Sequence, residues 1–163
     1  MQTVKINPEN PEDERLKAVA KALIEDKVIA FPTDTVYGLG ADIFDENAVA
    51  KVFQIKGRPL EKGLIAMVSD LEQLSYIAKQ PPRAAFALIK RFWPGALTLI
   101  MQASSGLPSV VQVNGTIGVR WPNHLVAQKI IQTAGFPLAT TTANISGQPP
   151  ALTAEQVSAQ LGG

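Results

Sequence analysis

The sequence predicts an α/β fold: a single-domain twisted sheet of mixed parallel and antiparallel strands with flanking helices. Short apolar runs rich in β-branched residues alternate with segments whose apolar residues recur at helical spacing. Prolines and glycines punctuate the boundaries between them. A 163-residue chain that is 46% hydrophobic can bury one sizeable core and fits one domain, residues 1–163.

The elements follow in order. Asn10-Pro11-Glu12-Asp13-Glu14 reads as a helix start, with Asn10 as cap, Pro11 at the first helical position and carboxylates near the positive dipole end. Leu16, Val19, Ala20, Leu23 and Ile24 supply its apolar face. Val28 to Phe31 is a short strand stopped by Pro32. Ala48, Val49, Val52 and Phe53 mark a second helix running to about Lys56, and Leu64 to Val68 a second strand. Pro81 and Pro82 open a helix whose apolar face is Ala85, Leu88, Ile89 and Phe92. Trp93-Pro94-Gly95 breaks it before a strand at Ala96 to Met101. Asn114-Gly115 is a turn pair ahead of a strand at Thr116 to Trp121. Leu125 to Ala134 is helical, with Gly135 suited to its C-terminal cap. Leu138 to Thr142 is a β-branched strand, and Thr153 caps a last helix to Leu161.

Composition removes several function classes. With no cysteine there is no disulfide, thiolate nucleophile or Cys-ligated zinc. A metal site or hydrolytic triad would have to run through the lone His124, so no protein-held metal is expected. The net charge of +1 argues against long-range capture of nucleic acid. No apolar stretch reaches membrane-spanning length and the N-terminus is polar, so a cytoplasmic protein without a membrane partner is expected.

Three segments concentrate polar chemistry beside predicted strands. Phe31 to Gly40 (FPTDTVYGLG) offers Thr33, Thr35 and Tyr37 for a small polar ligand, and equally reads as a turn at a strand end. Lys56 to Lys62 (KGRPLEK) brings Lys56 and Arg58 together across a glycine; the pair suits phosphate, and equally answers a negative helix end. Thr140 to Gly147 (TTTANISG) carries hydroxyls and a carboxamide that suit phosphate or ribose oxygens, and equally caps a turn. No phosphate-binding P-loop is present, so ATP, if bound, is held by another route.

Taken together, these segments resemble the YrdC-type threonylcarbamoyl-AMP synthase family. The match consists of FPTDTVYGLG from Phe31, KGRP from Lys56 with KGL from Lys62, Trp93-Pro94-Gly95 with Leu97-Thr98, Val119-Arg120 with Pro122 and His124, and Thr142-Ala143-Asn144-Ile145-Ser146-Gly147. The motifs arrive in the family's order over residues 14 to 161. The resemblance implies a YrdC-like fold and formation of threonylcarbamoyl-AMP and pyrophosphate from L-threonine, bicarbonate or CO2, and ATP. That product serves N6-threonylcarbamoyladenosine modification at position 37 of tRNA, through a downstream tRNA threonylcarbamoyl transferase complex.

By the same resemblance, Lys56, Arg58, Thr142 and Asn144 are the catalytic group and, with Thr116, bind ATP. Thr33, Tyr37, Arg120 and Thr140 hold threonine, and Mg²⁺ arrives on the ATP phosphates. Threonine stands at 142 where the family usually has serine, proline stands at 150 where some relatives have a hydroxyl, and the family usually continues past residue 161. Two other readings remain: a non-catalytic RNA-binding module of the same fold, with weak tRNA or RNA binding, and a carbamoyl-adenylate-forming domain using carbamoyl phosphate.

Overall fold

The computed structural model describes residues 1–162; Gly163, the last residue of the expected domain, lies outside the described residues. Among the described residues six strands, β1 (Ile29–Phe31), β2 (Gly38–Asp42), β3 (Ile65–Met67), β4 (Leu99–Gln102), β5 (Thr116–Arg120) and β6 (Leu138–Thr142), form one sheet in the order β1-β2-β6-β3-β5-β4. Among the described residues β3 and β5 pair in parallel and the other neighbours are antiparallel. The sheet is therefore mixed, as the alternation of elements predicts.

Helices lie on both faces. On one, Leu16 and Leu23 of α1 (Asp13–Ile24) and Val126, Ile130 and Ile131 of α5 (Leu125–Ala134) pack on Phe31, Met67 and Leu138. On the other, α2 (Glu46–Lys56), α3 (Leu71–Ile77), α4 (Arg83–Phe92) and α6 (Ala154–Leu161) pack on Leu39, Ala66, Ile117, Val119 and Ala139. The side-chain alternation of each strand sends neighbours to opposite cores. Burying a residue such as Phe31, 1% exposed, contributes roughly 1.5–3 kcal/mol. Among the described residues no helix is long and apolar enough to cross a membrane.

Several local expectations are corrected. The first helix begins at Asp13 with Glu12 at its cap, not at Asn10 and Pro11. Asn7 draws the preceding residues into a turn by accepting from Glu9 and Asn10 N–H, and the Glu12 carboxylate reaches back to Asn7 N–H. Residues 38–40, read as part of a loop, begin β2, whose glycines hid it from propensity. The helix α3, capped by Asp70 accepting from Gln73 N–H, was not foreseen. On α4 only Ala85 and Ile89 are buried; Leu88 and Phe92 face outward.

Candidate active site

An open cleft of about 320 Å³ lies on the sheet face that carries α1 and α5. Its floor follows from register. Gly40 pairs with Thr140, Thr140 with Ile65 and Ile65 with Gly118, so one row of side chains crosses the sheet. Gly40 and Gly118 leave room within this row for the side chains beside them. A Cβ at Gly40 would stand 3.0 Å from both Phe31 and the Thr140 methyl, and one at Gly118 would stand 3.0 Å from Ile65. The walls are the β1–β2 connection, with Thr33, Thr35, Val36 and Tyr37, and the segment after α2, with Arg58, Lys62 and Gly63.

On one side the end of α2 meets the end of β6. Lys56 Nζ donates to Thr142 O at 2.7 Å, Thr142 Oγ1 at 3.1 Å, Asn144 O at 3.0 Å and Asn144 Oδ1 at 2.8 Å. Thr142 Oγ1 donates to Asn144 Oδ1 at 2.5 Å, and Asn144 Nδ2 donates to Ile145 O and Gln148 O. These four acceptors engage all the N–H donors of an ammonium. Lys56 is 2% exposed and does not line the cleft. It holds the 142–144 turn from beneath, and burial, followed by the Arg58 charge, lowers its pKa to about 8. In this geometry the donors of Lys56 point into the turn.

Arg58 does line the cleft. It follows Gly57, whose φ of 60° ends α2 in the left-handed conformation that glycine adopts without strain. Arg58 Nε donates to Gly63 O at 3.1 Å and an Nη to Lys62 O at 3.0 Å, so its guanidinium folds residues 59–63 around itself. Burial lowers its pKa.

Arg120 stands on the opposite side at the end of β5, 8% exposed. Its guanidinium donates to Gly95 O at 3.1 Å, Thr35 Oγ1 at 3.2 Å and Asp34 Oδ1 at 2.6 Å. Thr33 Oγ1 donates to Val36 O at 2.6 Å. Thr140, 1% exposed, donates to Ile65 O. The Tyr37 ring borders the cleft, its phenol pKa raised by burial and then by Glu155.

Of the residues singled out in the sequence, Thr33, Tyr37, Arg58, Arg120, Thr140 and Thr142 line one cleft, and Lys56 and Asn144 support it. Thr116 does not line it; its hydroxyl donates to Val113 O in the adjoining hairpin. Asp34 and Lys62 were not singled out as site residues, and only the fold shows that Asp34 grips Arg120 and that Lys62 reaches the cleft. Among the described residues no group of three or more His, Cys, Asp or Glu side chains could hold a metal.

The Sua5/YciO/YrdC family profile, described as "Telomere recombination", matches residues 21–163. Two curated relatives are named threonylcarbamoyl-AMP synthase: one from Pyrococcus abyssi, 44% identical over 91% of this chain, and one from Bacillus subtilis, 41% identical over 93%. This chain spans only 44% of each of them. The crystal structure of P. abyssi Sua5 complexed with L-threonine superposes with a TM-score of 0.93 at 43% identity, covering 97% of this chain and 47% of that one. Escherichia coli YciO superposes with a TM-score of 0.80 at 30% identity, covering 88% of this chain and 70% of that one. By sequence and by fold alike, the chain belongs to the Sua5/YciO/YrdC family.

Proposed function

We propose that this chain forms threonylcarbamoyl-AMP from L-threonine, bicarbonate or CO2, and ATP, releasing pyrophosphate. The observation that carries the reading is that one cleft is lined by an arginine and a hydroxyl, Arg58 and Thr142, and by a second arginine and hydroxyl, Arg120 at the opposite side and Thr140 on the floor. The first pair suits a polyphosphate; the second suits the carboxylate and hydroxyl of a small amino acid. The names of the curated relatives and the threonine complex of P. abyssi Sua5 support the same assignment.

The reaction needs no protein nucleophile. The threonine amine adds to CO2 with loss of a proton, or condenses with bicarbonate with loss of water, and forms a carbamate. A carbamate oxygen attacks the α-phosphorus of ATP, and the bond to the bridging oxygen breaks to release pyrophosphate. Negative charge builds on phosphate oxygens, so catalysis is positioning and electrostatics. Arg58 neutralises that charge and Thr142 orients the phosphates. Lys56 and Asn144 hold Thr142 in place and leave a positive charge beneath it. Thr33 and Tyr37 close the threonine side. Thr116 joins the nucleotide end if its hydroxyl turns from Val113 O. Among the described residues no carboxylate or histidine cluster offers Mg²⁺ a cage, so Mg²⁺ belongs to this proposal only as the companion of the ATP phosphates.

The product is a mixed anhydride, consumed in the cytoplasm by a tRNA threonylcarbamoyl transferase complex. The test is pyrophosphate release with ATP and Mg²⁺, omitting threonine or bicarbonate in turn. Release that requires both supports the reading. Release indifferent to either omission overturns it, as does steeply salt-dependent RNA binding with no turnover.

A further inference from the structure

Arg120 carries a partner that the proposed reaction does not use. Asp34 Oδ1 lies 2.6 Å from a guanidinium nitrogen of Arg120, and the two side chains are 16% and 9% exposed. A pair this buried and this close is held by geometry and by its remaining hydrogen bonds, not by surface Coulomb attraction alone.

The adjoining hydrogen bonds have a single direction. Arg120 can only donate, so Thr35 Oγ1 accepts from it at 3.2 Å. Thr33 Oγ1 gives its proton to Val36 O at 2.6 Å. In the 3.2 Å contact between the two threonine hydroxyls, Thr35 is therefore the donor and Thr33 the acceptor. Thr33 Oγ1 also accepts from Thr35 N–H. Polarity thus runs from Arg120 through Thr35 and Thr33 to Val36 O, and neither hydroxyl has a free choice of rotamer. With Gly95 O accepting from Nε, the guanidinium plane is fixed on three sides by Gly95, Asp34 and Thr35. The N–H groups that remain belong to a residue lining the cleft.

We infer that Asp34 and Thr35 are positioning residues for the amino-acid substrate: they fix the Arg120 guanidinium and lock residues 33–36 over it as one unit, so that an α-carboxylate meets a fork already oriented. This rests on the threonine-side assignment of the proposed function. Asp34 does not line the cleft, and it acts through Arg120.

The experiment is a calorimetric titration of L-threonine into the chain, and separately of ATP, for the unsubstituted protein, Asp34→Ala, Thr35→Val, Arg120→Ala and the double variant Asp34→Ala/Arg120→Ala. Thr35→Val keeps the side-chain shape and guards against a folding defect in Asp34→Ala. The expected result is threonine affinity weakened about tenfold or more by Asp34→Ala and severalfold by Thr35→Val, with ATP affinity unchanged. With Arg120 already removed, Asp34→Ala should have no further effect on threonine. Equal weakening of threonine and ATP, an Asp34 effect that persists without Arg120, or unaltered threonine affinity in both single variants would overturn the inference while leaving the proposed reaction standing. Absence of threonine binding by the unsubstituted protein would instead remove the proposed reaction, and this inference with it.

Discussion

Lys56 Nζ donates to Asn144 Oδ1 over 2.8 Å although the two residues lie 88 positions apart in the chain. The bond joins the end of α2 to the turn after β6. Lys56→Met retains the length of the side chain and removes its donors, leaving oxygens of Thr142 and Asn144 without their partner in a buried site. The expected loss is roughly 1–3 kcal/mol of stability for each oxygen left unsatisfied. It reads as a lower urea midpoint at unchanged slope, with pyrophosphate formation falling in parallel.

The same amine predicts opposite pH dependences for activity and stability. Its folded pKa, about 8, lies below the ordinary 10.5. As pH rises through about 8, the ammonium loses its charge and one of its donors, so kcat/KM for pyrophosphate formation should decline on an alkaline limb centred there. Stability follows the other sign. Between about pH 8 and 10.5 the unfolded chain binds more protons at this position than the folded chain, so the contribution of Lys56 to stability rises with pH across that window. A pH–rate profile beside urea midpoints at the same pH values checks both, and a limb that survives in Lys56→Met belongs to another group.

Arg58→Ala removes the arginine that the polyphosphate would meet and also frees the carbonyls of Lys62 and Gly63. The expected loss of transition-state stabilisation is roughly 2–4 kcal/mol, read from kcat/KM for ATP. Arg58→Lys should recover little of it, because a single ammonium cannot span both carbonyls and a phosphate. Unchanged pyrophosphate release in Arg58→Ala would remove the residue from the mechanism.

Gly63 holds φ near 51° and ψ near −179°, a conformation open essentially to glycine, and a Cβ there would come within 2.6 Å of a Val113 methyl. Gly63→Ala should cost about 1–3 kcal/mol of local strain and displace the segment wrapped around Arg58. KM for ATP should then rise more than KM for threonine in steady-state kinetics. An equal rise in both would show that the segment serves the whole cleft.

The strands that were legible had a β-branched or aliphatic signature and a clear stop: Ile29–Phe31 before Pro32, Thr116–Arg120 after Asn114-Gly115, and Leu138–Thr142. The strand that was missed, Gly38–Asp42, departs from propensity for a reason that lies in its neighbours. Gly38 and Gly40 leave room for Phe31 and Thr140, while Leu39 and Ala41 face the other core. The surplus apolar residues of α4 misled in the opposite direction, because periodicity marks Leu88 and Phe92 as apolar without saying whether anything covers them.

Residue chemistry and motif order in the chain alone were enough to exclude thiolate chemistry, to argue against a triad through the lone His124, to mark three polar segments, and to identify the family. Those properties are local: they depend on which side chains exist and how they are spaced. The division of labour among the cations was decided only in three dimensions. Lys56 and Arg58 are two residues apart and chemically alike on paper, yet α2 ends so that one amine is enclosed by four oxygens of a distant turn while the other cation, held by Lys62 O and Gly63 O, lines the cleft. The grip of Asp34 on Arg120 likewise spans 86 residues. Hydrogen bonding and burial depend on which atoms meet, and only the packing of the sheet and its helices sets that.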